Sequence, residues 1–197
     1  MSVVLERGDL FICIETGKYI AHAISGDYVM EVGLAKKINE RKKVAKELFK
    51  KFDFSVPGEH IGKALKTGRV FNLVVKEEYN RKANAGNIYL ALCSLRDECE
   101  KEGIKDVYMP QICCGKEGLS WDVVSCIIKQ AFGETDVCAH ILISEGKYYA
   151  NDRRKAQLFD QIVADIQNQA IDNDEKKEKL KNLGLNEIEI ANILITL

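Results

Sequence analysis

Between Leu10 and Ile143, short apolar runs alternate with longer stretches in which apolar residues recur every three or four positions, and glycine-bearing loops separate the two. That alternation restricts the chain to an α/β architecture, in which strands pair side by side and helices cover them. The runs Leu10–Ile14 and Tyr19–Ala23, broken at Thr16-Gly17, predict two core strands joined by a tight turn. Arg69–Val75 follows a glycine and lacks helical spacing, so it predicts a strand buried on both faces that delivers Lys76 to its end. Asp106–Met109 and Val137–Ile143 predict two more strands.

Leu34, Ile38, Val44, Leu48 and Phe49 recur at helical spacing among lysines and arginines, predicting an amphipathic helix over Gly33–Phe52 with a bend midway. Asn87–Glu102 places Ile88, Leu92, Leu95 and Cys99 on one stripe and stops at Gly103. Leu119–Phe132 turns Trp121, Val124, Ile128 and Phe132 inward. Strand and helix in this succession predict three layers, α-β-α, around a mixed, largely parallel sheet.

A chain of 197 residues, 46% hydrophobic, supports one full core and a small appendage. The expected division is 1–148 for the α/β domain and 149–197 for a helical extension, with helices at 151–170 and 176–183. Leu180–Leu194 resembles the first two helices and turn of a helix-turn-helix, but no recognition helix follows. Residues 151–197 carry 7 basic and 9 acidic side chains, net -2, so the tail reads as a module that binds protein and, less readily, DNA.

With 29 basic and 30 acidic residues, the chain has no overall field to draw it onto nucleic acid or anionic lipid, so any phosphate binding is local. It shows neither a charged-then-apolar leader nor an apolar run of membrane-spanning length, and the expected location is cytoplasmic. Seven cysteines without a CxxC pair read as reduced thiols, with no metal and no cofactor expected.

In a parallel sheet, chemistry belongs at the carboxyl ends of strands, where backbone N–H groups of glycine-bearing loops can hold phosphate. Two strand-to-helix loops fit that description: Ala23–Gly33, and Gln111–Leu119 with its Cys113-Cys114-Gly115-Lys116-Glu117-Gly118 core. Neither is a Walker loop or a GxGxxG turn, so by themselves they indicate an anion or nucleotide site and nothing narrower.

Gly8-Asp9-Leu10-Phe11, Ile20-Ala21-His22-Ala23-Ile24-Ser25 with Gly33-Leu34-Ala35, and Met109-Pro110-Gln111-Ile112-Cys113-Cys114-Gly115 through Leu119-Ser120-Trp121 resemble, in order and spacing, the macro domain family. Its terminal ADP-ribose glycohydrolases, which act on ADP-ribosyl-glutamate, are the nearest subgroup, and the resemblance spans roughly 3–143. It implies an ADP-ribose site, with Asp9 meeting the adenine amine beside Leu10. His22, Ser25, Glu31, Val32 and Gly33 would belong to the first ligand loop, and Ile112, Cys113, Cys114, Gly115, Lys116, Gly118 and Leu119 to the second, phosphate-binding one. It further implies that Lys76 attacks the anomeric carbon of the distal ribose and that Glu117 handles protons. A lysine ending an apolar strand can be partly desolvated, which favours its neutral, nucleophilic form.

Three positions depart from the family pattern. Glu117 stands where the subgroup has aspartate, one methylene longer, which displaces the carboxylate and weighs against hydrolysis. Glu31 stands where many members have glycine, making the distal-ribose pocket narrower or more acidic, and His22 where most have asparagine. His22 reads as a buried, hydrogen-bonded histidine rather than a base. Cys113 and Cys114 read as packing residues, and Asp27 as a turn residue before a contact for a ligand hydroxyl. The partners implied are ADP-ribose and ADP-ribosylated protein, with ADP-ribosylated DNA as a further candidate. Four activities stay open: removal of mono-ADP-ribose from acidic side chains, non-catalytic reading of ADP-ribose, hydrolysis of O-acetyl-ADP-ribose or ADP-ribose 1''-phosphate, and removal of ADP-ribose from DNA.

Overall fold

The structure, a computed structural model, describes residues 2–52 and 58–143 and the four helical positions Asp174, Lys177, Glu178 and Lys181. The expected boundary at 144–150, the helix at 151–170 and the helix-turn-helix-like segment 180–194 otherwise lie outside the described residues, as does most of the helix expected at 176–183. No helix among the described residues is long and apolar enough to cross a membrane.

Six strands form one sheet: β1 (Val3–Arg7), β2 (Ile20–Ser25), β3 (Ala64–Thr67), β4 (Val70–Lys76), β5 (Asp106–Pro110) and β6 (Cys138–Ile143). Their order is β1-β6-β5-β2-β4-β3, parallel throughout except for the antiparallel pair β3–β4. The helices are α1 (Leu10–Glu15), α2 (Gly33–Lys42), α3 (Val44–Lys51), α4 (Ala85–Lys101) and α5 (Trp121–Ala131). Because side chains alternate across a pleated strand, the sheet feeds two cores. Ala21, Phe71, Leu73, Val75, Val107, Met109, Ala139 and Ile141 pack with the buried faces of α4 and α5. Ile20, Ile24, Val70, Val74 and Leu142 pack with those of α1, α2 and α3. These are the expected three layers.

Leu10–Ile14 is a helix, not the predicted strand. Asp9 is its N-cap, with Oδ1 accepting from the Phe11 N–H at 2.8 Å, and Leu10, Cys13 and Ile14 form the buried i, i+3, i+4 stripe while Ile12 stays 60% exposed. Five apolar residues in a row conceal that stripe. Thr16 is accordingly a helix C-cap, not part of a turn between strands. The single helix expected over Gly33–Phe52 is two, parted at Lys43, whose φ of 55° is left-handed and whose neighbour Ala45 donates its N–H to Asn39 Oδ1. Strands β1 and β3 were not predicted: β1 is half exposed at the sheet edge, and β3 is a four-residue arm of the hairpin closed by Gly68-Arg69.

One polar pair is buried within the sheet. His22 on β2 and Asn72 on β4 are register partners, 1% and 0% exposed. The Asn72 amide donates to Leu65 O at 2.8 Å and Thr67 Oγ1 at 3.0 Å, so its Oδ1 is the acceptor for the His22 Nε2–H at 2.8 Å. His22 is thereby held in one tautomer, and burial lowers its pKa to about 4 against the opposing pull of the Asn72 hydrogen bond. Below its ordinary pKa of about 6.5 the unfolded chain takes up a proton that the folded chain refuses, so stability is complete above about pH 6.5 and falls as pH drops toward 4. Urea unfolding at pH 7 and pH 4.5 should show roughly 2–3 kcal/mol lost through this group, and His22→Asn should flatten the dependence by that amount. Equal pH dependence in the two proteins would mean that the histidine ring is solvated.

Candidate functional site

Strands β2 and β5 share a single paired position among the described residues, Ile20 with Tyr108 near the start of β2, backed by the Tyr108 N–H bonded to Tyr19 O at 2.9 Å. Beyond it the two strands part. β2 continues along β4 toward one edge and β5 along β6 toward the other, so the parting is the point at which chain order reverses, where α/β sheets open a crevice. A cavity of about 770 Å³ lies there.

Its walls come from four loops at the carboxyl ends of the strands. The β1–α1 connection supplies Asp9, Leu10 and Phe11, and the β2–α2 connection Ser25, Glu31, Val32 and Gly33, with His22 below them. From the end of β4 come Lys76 and Tyr79, and from the β5–α5 connection Ile112, Cys113, Gly115, Lys116 and Glu117. Cys114, Gly118 and Leu119 stay outside the lining. Cys114 is buried, and the Leu119 N–H bonds Cys113 O at 3.1 Å to fold the loop back on itself. Two residues set that loop's turn, Cys113 at φ 58° and Gly118 at φ 72°.

The first turn of α2 is suited to an anion. Val32 is its N-cap and makes no side-chain capping bond, Gly33 enters at φ 63°, and residues 32–35 all line the cavity. The leading N–H groups of α2 therefore point into the crevice with the positive end of the helix dipole behind them. Lys37 and Lys116 add positive charge to the lining, and Asp9 and Glu31 negative charge.

Within the cavity lining, Lys76 and Glu117 form an ion pair. Lys76 Nζ donates to Glu117 Oε1 at 2.5 Å and to Tyr79 O at 2.9 Å, and Glu117 Oε2 accepts from the Ala83 N–H at 3.3 Å. The side chains are 9% and 16% exposed, so the pair is largely withdrawn from water on the lip of the cavity. An amine and a carboxylate in contact are the components of an activated nucleophile and its proton acceptor. The extra methylene of Glu117 does not keep its carboxylate from the lysine.

Burial raises the Cys114 thiol to about 12, and burial with the neighbouring Glu117 carboxylate raises Cys113 as well. Both remain thiols at neutral pH and act as packing. His22 Nδ1 has no hydrogen-bond partner among the described residues and the neutral ring lines the cavity, which fits an acceptor better than a base. Sequence reasoning missed Tyr79 and Ala83, which meet Lys76 and Glu117 through backbone groups that no residue type announces. Lys37 and Phe11 were missed because their helix faces were not resolved.

A second concavity, of about 670 Å³, lies at the amino ends of β5 and β6 among Glu100, Lys105, Glu134 and Asp136, on the wrong side of the sheet for this chemistry. Asp106, Cys138 and His140 bring potential metal-ligand atoms within 4.8 Å of one another. There His140 already meets Glu6 through Nδ1 at 3.0 Å and Asp106 through Nε2 at 2.9 Å, which occupies both ring nitrogens.

No family model matches the chain. It is 33% identical over 136 residues to the human ADP-ribose glycohydrolase OARD1, covering 68% of this chain and 87% of that protein, and equally similar to the bovine one. The macrodomain of Mycobacterium tuberculosis DarG matches with a TM-score of 0.58 at 22% identity, over 71% of this chain and 96% of that one. Thermosipho africanus DarTG in complex with ADP-ribose matches with a TM-score of 0.60 at 17% identity, over 78% of this chain and 44% of that one. An identity of one third across most of the OARD1 glycohydrolases, on a sheet shared with solved macrodomains, shows that the chain belongs to the macro domain family, near its terminal ADP-ribose glycohydrolases.

Proposed function

We propose that the protein binds ADP-ribose and removes mono-ADP-ribose from modified acidic side chains, with Lys76 as nucleophile and Glu117 as its proton partner. The contact of 2.5 Å between Lys76 Nζ and Glu117 Oε1 at the cavity carries this reading, because it places an amine against a base where a bound sugar would end. The relatives' activity as ADP-ribose glycohydrolases supports it, as does the ADP-ribose held by a protein of the same fold.

Adenine would lie near Asp9 and the pyrophosphate between the α2 amino terminus and the Gly115–Gly118 loop, leaving the distal ribose toward Lys76. Glu117 takes a proton from the lysine ammonium, and the freed amine attacks the anomeric carbon. A C–N bond forms as the C–O bond to the acceptor breaks, and the acceptor departs as a carboxylate, which is a good leaving group. Glu117 loses that first proton to solvent, then takes a proton from the water that attacks the same carbon as the C–N bond breaks, and passes it to the departing amine to restore the lysine ammonium. The sum is one water consumed, one ADP-ribose released and the acidic side chain restored. A carboxylate acceptor suits a site with one acid–base residue, because it needs no protonation to leave.

A glutamate-linked mono-ADP-ribosylated protein is the substrate that tests this. Lys76→Ala and Glu117→Gln should each lower ADP-ribose release by at least about a thousandfold, while calorimetric ADP-ribose affinity stays within about threefold of the unmodified protein. Binding without turnover in the unmodified protein would make it a reader of ADP-ribose, and neither binding nor turnover would remove the proposal. Asp9 needs a finer probe because it also caps α1. Asp9→Asn retains a good N-cap but presents a neutral amide to adenine, so it should weaken ADP-ribose binding about tenfold with little change in Tm. A matched loss of Tm and affinity would confine Asp9 to its capping role.

A further inference from the structure

We infer that Asp27, outside the cavity lining, is a positioning residue that fixes the Lys76 amine through the backbone of Tyr79, an inference that rests on the reading of Lys76 as nucleophile. After β2 and β4 end, their chains stay zipped: the Gly26 N–H bonds Lys76 O at 2.8 Å and the Asp27 N–H bonds Glu77 O at 3.1 Å. Gly26 permits this approach, since a Cβ there would stand 3.1 Å from Glu77 O. The Asp27 carboxylate then spans the two segments. Its Oδ1 accepts from Ser25 Oγ at 2.5 Å and the Val29 N–H at 3.2 Å, and its Oδ2 accepts from the Tyr79 N–H at 2.9 Å.

The carbonyl of that same Tyr79 receives the Lys76 ammonium at 2.9 Å. Lys76 is thus held from two sides, by Glu117 from the β5–α5 loop and by a carbonyl whose place in space depends on Asp27. Tyr79 is 48% exposed and its ring meets the Lys116 ammonium at 5.9 Å, a long contact beside the 2.9 Å bond from the Tyr79 N–H to Asp27. Three hydrogen bonds to an ionised carboxylate are stronger than neutral ones and fix direction as well as distance. Because the amine must approach one carbon along one line, a displacement of about 1 Å in its support costs rate without costing ligand affinity. Asp27 is therefore more than the turn residue its sequence context suggests, and it serves without touching ligand.

Asp27→Asn is the informative substitution, since an amide has one accepting atom and cannot serve both Oδ1 and Oδ2. In the full chain, kcat on the glutamate-linked substrate should fall about tenfold while the ADP-ribose Kd moves less than about twofold and Tm stays close to the unmodified value. An assay independent of turnover accompanies it: acetylation of Lys76 by an amine-reactive acetyl ester, read by mass spectrometry of the Lys76 peptide. Loosening the Tyr79 carbonyl should speed that acetylation about fivefold. Unchanged kcat and acetylation would overturn the inference. So would a parallel fall in kcat, affinity and Tm, which would make Asp27 a purely structural residue. Should the unmodified protein show no turnover, the proposed hydrolysis fails, and the acetylation rates alone decide whether Asp27 holds Lys76.

Discussion

The parting of β2 and β5 is the constraint on which the rest of this structure depends. Two adjacent parallel strands paired at Ile20 and Tyr108 and then released leave a gap that side chains from one sheet face cannot close. The chain fills it with loops rather than core, and every loop involved begins at a strand's carboxyl end. A continuous ladder between β2 and β5 would close the crevice and remove the cavity. Burial elsewhere makes the gap tolerable. β4 is buried along all seven residues and both faces of the sheet are covered, so the framework does not depend on pairing across the opening.

Polar groups around that gap are placed by other polar groups. Asn72 spends its amide on β3 and so offers His22 only an acceptor, which sets the tautomer of a ring lining the cavity. Glu117 is oriented by the Ala83 N–H and Lys76 by the Tyr79 carbonyl. In each case a backbone group or a saturated side chain removes an alternative geometry before any ligand arrives, which is where preorganisation has its effect. Hydrogen bonds made within the protein beforehand need not be formed at the cost of ordering during a reaction.

Much of this was legible in the sequence where periodicity and length agree. The stripe Ile88, Leu92, Leu95 and Cys99 gave α4 to within two residues at its start and one at its end, and the run before Lys76 gave β4 as a fully buried strand. Where the two disagree, reading failed: Leu10–Ile14 has the composition of a strand but is a two-turn helix, because Asp9 supplies a cap whose effect lies outside the apolar run. The two strand-to-helix loops were legible as the place to look for a site, and most of the residues expected in them do line the cavity. Their partners were not. Ala83 and Tyr79 act through N–H and C=O groups that every residue except proline carries, and only tertiary structure selects them.

In sequence, glutamate in place of aspartate at 117 looks like one methylene too many, enough to displace the carboxylate. In three dimensions side-chain length and loop geometry have to be judged together. The loop turns at Cys113 and Gly118 and is folded back by the Leu119 N–H on Cys113 O, which fixes how far the residue 117 backbone stands from the end of β4. From that backbone the glutamate carboxylate reaches Lys76 Nζ at 2.5 Å with its second oxygen on the Ala83 N–H. Removing one methylene would retract the carboxylate by roughly 1.5 Å and break both contacts unless the loop moved with it. Loop and side chain are thus matched as a unit, and a shorter acid is suited to a loop that sits closer. In this chain the longer acid makes the amine–carboxylate contact from a loop held by those turns.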